Sequence, residues 1–158
     1  MINHINIVKE IFEKAQKLNR NYPNVAVLAT ASNNKPNAGC VLIKEINEES
    51  LVFYTNYESN KGKEIEKKPF VALVFFWEEL KPQIRIKGIA EKVSKEKSAE
   101  YFKSRPKGNQ IATIISKQSK ELKNYEKLIE EFEKMLEFYI PLSIIFFIML
   151  YNSWILVI

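Results

Sequence analysis

The chain has 158 residues, of which 27% are charged and 46% hydrophobic, and its formal net charge is +5. This length and composition predict one globular domain with a sizeable core. The single cysteine and the single histidine exclude a disulfide framework, a zinc cluster and a histidine-based catalytic triad within one chain. If the chain is an enzyme, a cofactor must therefore carry the chemistry. The interleaved lysines and glutamates predict a solvated surface without a nucleic-acid partner.

An amphipathic helix followed by short strands is predicted for the first third of the chain. Apolar residues recur at helical spacing from Ile7 to Leu18, too widely spaced for a signal peptide, so a cytoplasmic protein is expected. Strands are predicted at Val25–Ala31, Gly39–Lys44 and Leu51–Thr55, separated by polar turns. Cys40, inside the second strand, is expected to be a buried small hydrophobic residue.

The junction after the third strand has two interpretations. A helix is predicted to begin near Ser59 and to stop before Pro69, with Thr55, Lys61 and Lys63 close to its start. Because a helix N-terminus favours negative charge, this arrangement can bind a phosphate group. The alternative is an ordinary capped helix with solvated lysines, and the residues alone slightly favour it.

Two further strands complete the predicted sheet. Phe70–Trp77 is a continuous apolar run that predicts a strand covered on both faces. Residues 83–94 alternate between apolar and charged side chains, which predicts a strand with one solvated face, and Gly88 is a candidate for a bulge or a tight bend. Five strands with helices between them favour a small barrel over a parallel sheet.

Helices are predicted for the remainder of the domain. Ser94 is a candidate N-cap for a helix that runs to about Ser104 and stops at Pro106. Tyr101 and Arg105 are four residues apart and so share one helix face, where they could hold a flat phosphorylated ring. Simple packing of the tyrosine beside a snorkelling arginine is the competing interpretation. Ser119 is a candidate cap for an amphipathic helix from Leu122 to Leu136.

Several separated motifs resemble one known family. They are Val-Leu-Ile-Lys at 41–44, Phe-Tyr-Thr-Asn-Tyr-Glu-Ser-Asn-Lys-Gly-Lys at 53–63, Gln83, Tyr-Phe-Lys-Ser-Arg-Pro at 101–106 and Ser-Lys-Gln-Ser at 116–119. In order and spacing, this set resembles the pyridoxamine 5′-phosphate oxidases, which are FMN enzymes of the split-barrel fold. The resemblance extends to about residue 138. It implies a mainly β fold with flanking helices (α+β), namely an FMN-binding split β-barrel that is incomplete at its C-terminus.

The resemblance also implies a site and a reaction. Proteins of this family are homodimers that hold FMN between the two subunits and oxidise pyridoxamine or pyridoxine 5′-phosphate to pyridoxal 5′-phosphate, with oxygen as acceptor. No catalytic protein base and no metal is implied. The positions that match cofactor contacts are Val41, Leu42, Ile43, Lys44, Tyr54, Thr55, Ser59, Lys61, Gln83, Gln118 and Ser119. The positions that match substrate contacts are Lys44, Tyr101, Arg105 and Asn109.

The chain departs from the family pattern at the phosphate end and at the C-terminus. Gly39 and Asn60 stand where the family has arginines, so the expected activity is reduced, and a non-catalytic flavin- or pyridoxal-phosphate-binding protein is the alternative. A domain over 1–138 and an apolar tail over 139–158 are predicted. The tail has three interpretations: an out-of-frame remnant, which is favoured, a membrane-associating segment, or the missing barrel strand.

Overall fold

A computed structural model of the protein describes residues 4–18, 21–116, 121–137 and 156–157. The helices are α1 (His4–Gln16), α2 (Asn60–Lys67), α3 (Lys95–Ser104), α4 (Lys107–Ile115) and α5 (Tyr125–Glu137). The strands are β1 (Val25–Ser32), β2 (Lys35–Ile46), β3 (Leu51–Phe53), β4 (Phe70–Phe76), β5 (Gln83–Ile89) and β6 (Leu156–Val157). The predicted α+β architecture, a sheet with flanking helices, is confirmed. Within these described ranges, no helix is long and apolar enough to span a membrane.

All strand pairs in the sheet are antiparallel, in the order β5-β4-β1-β2-β3-β6. Side chains alternate between a core face and an outer face, as the pleat of a strand requires. The pairing of β2 with β3 is irregular: Ile43 lies opposite Phe53, but Glu45 lies opposite Val52. Lys44 is therefore an extra residue on β2, which is a β-bulge, and it reverses the alternation beyond that point.

The core lies between the sheet and α1, and it contains a cluster of aromatic side chains. Phe75 and Trp77 stack with their ring centroids 4.9 Å apart, and Phe12 of α1 meets the Phe75 ring edge to face at 5.9 Å. The buried indole of Trp77 donates a hydrogen bond to the carbonyl of Pro23 at 2.7 Å. This bond satisfies the one polar atom of Trp77 and ties the α1–β1 connection to the end of β4.

Several predicted features differ from the structure. Strand β5 ends at Ile89 instead of Ser94, because its partner β4 begins at Phe70 and Pro69 has no N–H to extend the ladder. Gly88 pairs in register with Val71, so the predicted bulge there is wrong. The predicted burial of Cys40 is also wrong, since its side chain is exposed on the outer face.

The C-terminal segments were predicted only in part. Helix α4 was missed, because Pro106 was interpreted as a stop when it is the residue that immediately precedes this helix. Of the apolar tail, the structure describes only Leu156–Val157, which pair with β3. This pairing corresponds to the barrel-strand interpretation over two residues, and the division of the chain at residue 138 stays a prediction.

Candidate functional site

The turn that precedes α2 is built around Ser59 and Gly62. Ser59 is the N-cap: its hydroxyl accepts a hydrogen bond from the N–H of Gly62 at 3.2 Å and donates one to the carbonyl of Asn56 at 2.6 Å. A Cβ atom on Gly62 would lie 2.5 Å from the carbonyl oxygen of Tyr57. Only glycine therefore fits where the helix approaches the turn, and this packing fixes the position of Lys61.

A cavity of about 320 Å³, hereafter the first cavity, opens on the outer face beside this turn. Its lining residues are Val25, Cys40, Val41, Leu42, Lys44, Tyr54, Thr55, Asn56, Lys61, Tyr101 and Arg105. Three of them are cationic and none is acidic. Such a lining can bind an anionic ligand with an apolar part, since the strand supplies apolar surface and the cations supply charge-assisted hydrogen bonds.

The alternation of β2 decides which of its side chains face the first cavity, and the bulge changes that alternation after Lys44. Val41 and Ile43 belong to the buried core, whereas Leu42 and Lys44 are exposed on the outer face. Beyond the bulge Ile46, and not residue 45, packs against the core. Glu45 is thereby turned towards the same side as Lys44, where it meets Tyr54 and Lys97.

One wall of the first cavity is formed by α3. The rings of Tyr101 and Tyr54 stack with their centroids 3.4 Å apart at an interplanar angle of 4°. Burial, with a further contribution from the Glu45 carboxylate, raises the pKa of Tyr54 to about 12. Burial also raises the pKa of Tyr101, against the opposing effect of the Arg105 charge. Both hydroxyls therefore stay protonated at neutral pH and can donate hydrogen bonds.

Arg105 is oriented by the helix that follows it. Its guanidinium donates a hydrogen bond to the hydroxyl of Thr113 at 2.8 Å. The hydroxyl of Thr113 in turn donates to the backbone carbonyl of Asn109, also at 2.8 Å. The Arg105 carbonyl accepts from the Gln110 side chain at 2.7 Å. Helix α4 thus fixes the direction of the arginine fork.

A second cavity of about 210 Å³ adjoins the first at Lys61, which lines both. Its lining residues are Leu28, Thr30, Asn37, Ala38, Gly39, Ser59, Asn60 and Lys61. Glu64 of α2 is tied to its walls, because it accepts hydrogen bonds from Thr30 at 2.5 Å and from Asn37 at 3.0 Å. The only cation in this lining is Lys61, since Gly39 and Asn60 are neutral.

Most of the predicted site residues are brought together. Those that line the first cavity are Val41, Leu42, Lys44, Tyr54, Thr55, Lys61, Tyr101 and Arg105; Ser59 lines the second. The side chain of Ile43 points into the core. Asn109 lies on the exposed side of α4, and Gln83 lies on the distant edge strand β5. Gln118 and Ser119 lie outside the described residues.

Sequence reasoning missed three residues of the first cavity and the ion pair behind it. Val25 and Cys40 lie on the outer face of neighbouring strands, and the period-2 pattern of β2 could have placed Cys40 beside Leu42. Asn56 follows directly after Thr55 in the recognised motif. No signal in the sequence indicates the pairing of Glu45 with Lys97, because it depends on the bulge.

This chain is similar to known proteins in sequence and in fold. The family model described as "Pyridoxamine 5′-phosphate oxidase" matches residues 12–137. The pyridoxine/pyridoxamine 5′-phosphate oxidase 2 of Hydrogenovibrio crunogenus is 43% identical over 125 residues. That alignment covers 78% of this chain and 59% of the relative, so this chain spans less than two thirds of the relative's length.

Two solved structures share the fold. PhzG from Burkholderia lata, in complex with tetrahydrophenazine-1-carboxylic acid, superposes with a TM-score of 0.80 at 23% identity, covering 85% of this chain and 67% of its own. A pyridoxamine 5′-phosphate oxidase-related, FMN binding protein from Nostoc punctiforme superposes with a TM-score of 0.72 at 15% identity. The superposition covers 100% of this chain and 81% of that protein. The predicted split-barrel fold is confirmed.

Proposed function

This chain belongs to the pyridoxamine 5′-phosphate oxidase family, and we propose on that premise that it binds FMN and oxidises pyridoxamine or pyridoxine 5′-phosphate to pyridoxal 5′-phosphate. Oxygen is the proposed electron acceptor. The observation that carries the proposal is the first cavity, where two lysines, an arginine and two tyrosines converge beside an apolar strand face. A phosphate monoester carries about −1.5 to −2 charges at neutral pH, which this cationic lining complements.

The residues present fit FMN. Lys61 and the buried hydroxyl of Thr55 lie at the start of α2, where the helix dipole also favours a phosphate group. The outer face of β2 at Leu42 offers flat apolar surface to an aromatic ring system. When bound, FMN would supply the two-electron acceptor that none of the described side chains provides.

The chain's own residues would then bind and orient the substrate. Lys44 and Arg105 would hold the substrate phosphate, with the arginine fork already directed by Thr113. Tyr101 stays protonated and would donate a hydrogen bond through its hydroxyl. The Lys44 ammonium lies 6.0 Å from the centroid of the Tyr101 ring, so these groups can converge on one ligand.

A homodimer is part of the proposal. The outer face of the sheet exposes Val27 (43%) and Phe76 (61%), both on strands inside the sheet, and such apolar area is typical of an interface. Gln83 lies on this same face, but three strands away from β2, or about 14 Å at the usual strand spacing. It could therefore reach a flavin only from a second copy of the chain.

The test is flavin titration followed by turnover. The purified chain is expected to quench FMN fluorescence on binding and then to form aldehyde from pyridoxamine 5′-phosphate while oxygen is consumed. Lys61→Met should weaken FMN binding roughly tenfold or more, because a charge-assisted hydrogen bond is lost. Lys63→Met is the matched control, since Lys63 pairs with Glu58 at the surface at 3.3 Å.

The outcomes separate the two candidate functions. A chain that neither binds FMN nor consumes oxygen would refute the proposal. A chain that binds FMN or pyridoxal 5′-phosphate without turnover would support the non-catalytic alternative, which the neutral Gly39 and Asn60 in the second cavity favour. Equal FMN affinities of the Lys61 and Lys63 variants would disprove the assignment of Lys61.

A further inference from the structure

We propose that Glu45 and Lys97 are positioning residues that hold α3 so that Tyr101 and Arg105 are directed at the substrate phosphate. The inference rests on the function proposed above. Neither Glu45 nor Lys97 lines the first cavity, so both would act through the helix and not by touching the ligand.

The first support is the spacing of residues on α3. Lys97, Tyr101 and Arg105 are each four residues apart and so form one stripe along the helix. The last two line the first cavity. Lys97 reaches Glu45 on β2, and its ammonium lies 2.5 Å from the Glu45 carboxylate. One end of the stripe is thus anchored to the strand that also carries Lys44.

The second support is the way β2 delivers Glu45 to this position. Without the bulge at Lys44, the alternation of β2 would turn residue 45 towards the core, where Val41 and Ile43 lie. With the bulge, Glu45 faces α3 and also lies 3.5 Å from the Tyr54 hydroxyl, which donates to it. Because Tyr54 stacks on Tyr101, the Glu45 carboxylate is connected to α3 at two successive turns.

The third support is that few residues of α3 are buried among the residues that the structure describes. Of its ten residues only Ser98 and Phe102 are buried. The Glu45–Lys97 pair, with side chains 39% and 35% exposed, is also more shielded than the other two ion pairs seen between described residues. The surface pair Glu66–Lys92 has side chains 65% and 52% exposed. A partly shielded pair holds its geometry better than a fully solvated one.

The inference predicts a change in substrate binding without a change in chemistry. Lys97→Met and Glu45→Gln should each raise KM for pyridoxamine 5′-phosphate about two- to fivefold with kcat unchanged, the range that a partly exposed ion pair supports. The double variant should be no worse than either single variant. Lys97→Arg, which keeps the charge, should restore the KM of the unaltered protein.

The experiment is steady-state oxygen consumption combined with amide hydrogen exchange over α3. Lys92→Met is the matched control, since it removes a lysine from an ion pair of similar distance, 2.8 Å, and neither Lys92 nor its partner Glu66 lines a cavity. Exchange at residues 101–105 should be faster in Lys97→Met and unchanged in Lys92→Met. A KM equal to that of the control, additive effects in the double variant, or an equal fall in kcat would overturn the inference.

The hydrogen-exchange measurement separates this inference from the proposed function. If the unaltered chain shows no turnover, the proposed oxidation fails and the role of these residues towards that substrate fails with it. Amide hydrogen exchange over α3 then still decides whether Glu45 and Lys97 hold this helix in place. Faster exchange in both variants supports that part, and unchanged exchange overturns it.

Discussion

Gly62→Ala is the most direct test of the turn that carries Lys61. A Cβ atom at this position would lie 2.5 Å from the carbonyl oxygen of Tyr57 and 2.7 Å from that of Asn56. Both contacts are with backbone atoms, so no side-chain rotation can relieve them. The turn itself must open, and Ser59 then loses its hydrogen bonds to Asn56 and Gly62.

The expected magnitude follows from opposing effects. Alanine is a better helix former than glycine by about 1 kcal/mol, which favours the variant. Overpacking costs about 1–3 kcal/mol and a lost N-cap about 1 kcal/mol more, which oppose it. The free energy of unfolding should therefore fall by about 1–3 kcal/mol. FMN affinity should fall about tenfold, because the groups at the start of α2 move apart.

The assay is urea denaturation of the flavin-free chain together with FMN titration, with two glycines as controls. Among the described residues, a Cβ on Gly108 would meet only the Phe132 ring at 3.6 Å, and one on Gly39 only the Lys61 side chain at 3.8 Å. Gly108→Ala and Gly39→Ala should each be stabilising by about 0.5–1 kcal/mol. If Gly62→Ala were as stable as Gly108→Ala and bound FMN normally, the steric argument would be refuted.

Three further predictions concern the two cavities. Arg105→Lys keeps the charge but loses the guanidinium fork that Thr113 directs. KM for pyridoxamine 5′-phosphate should therefore rise roughly tenfold when oxygen consumption is measured. A KM equal to that of the unaltered protein would contradict the assignment of Arg105 to the substrate phosphate. The pKa of Tyr54 is raised to about 12 in the folded state. The folded chain therefore retains a proton that the unfolded chain loses above about pH 10. The free energy of unfolding should fall between about pH 10 and pH 12 as a result. Tyr54→Phe should show a shallower fall in urea denaturation at successive pH values, and an identical slope would count against the raised pKa. Gly39→Arg adds a cationic donor beside Lys61, and FMN titration should show roughly tenfold tighter binding, with Gly39→Lys as the charge-matched comparison.

Much of the fold follows from local pattern. The alternation in β5 and the continuous apolar run of β4 predicted both strands, and the caps at Ser59 and Ser94 located the starts of α2 and α3. These signals depend on a few neighbouring residues and so survive in a single sequence. Where β5 ends could not be predicted, because the limit is set by Pro69, the residue that precedes its partner strand β4.

The candidate site was only partly predictable for a related reason. The motif over residues 53–63 indicated Tyr54, Thr55 and Lys61, and all three line the first cavity. Which side of β2 faces that cavity depends on the pairing of β2 with β1 and β3, which is not a local property. The core position of Ile43 and the exposure of Cys40 both follow from that pairing.

The bulge at Lys44 shows why register matters more than composition at this site. One extra residue on β2 keeps Lys44 on the outer face and moves Glu45 onto the same side, while Ile46 takes the place in the core that residue 45 would otherwise fill. A regular strand would bury the Glu45 carboxylate among apolar side chains, a cost of several kcal/mol. The pairing of Glu45 with Lys97, and with it the orientation of α3, therefore depends on this single irregularity. Deleting one residue of β2 at the bulge should therefore break the Glu45–Lys97 pair even where the sheet still forms, and faster amide hydrogen exchange over α3 would show it.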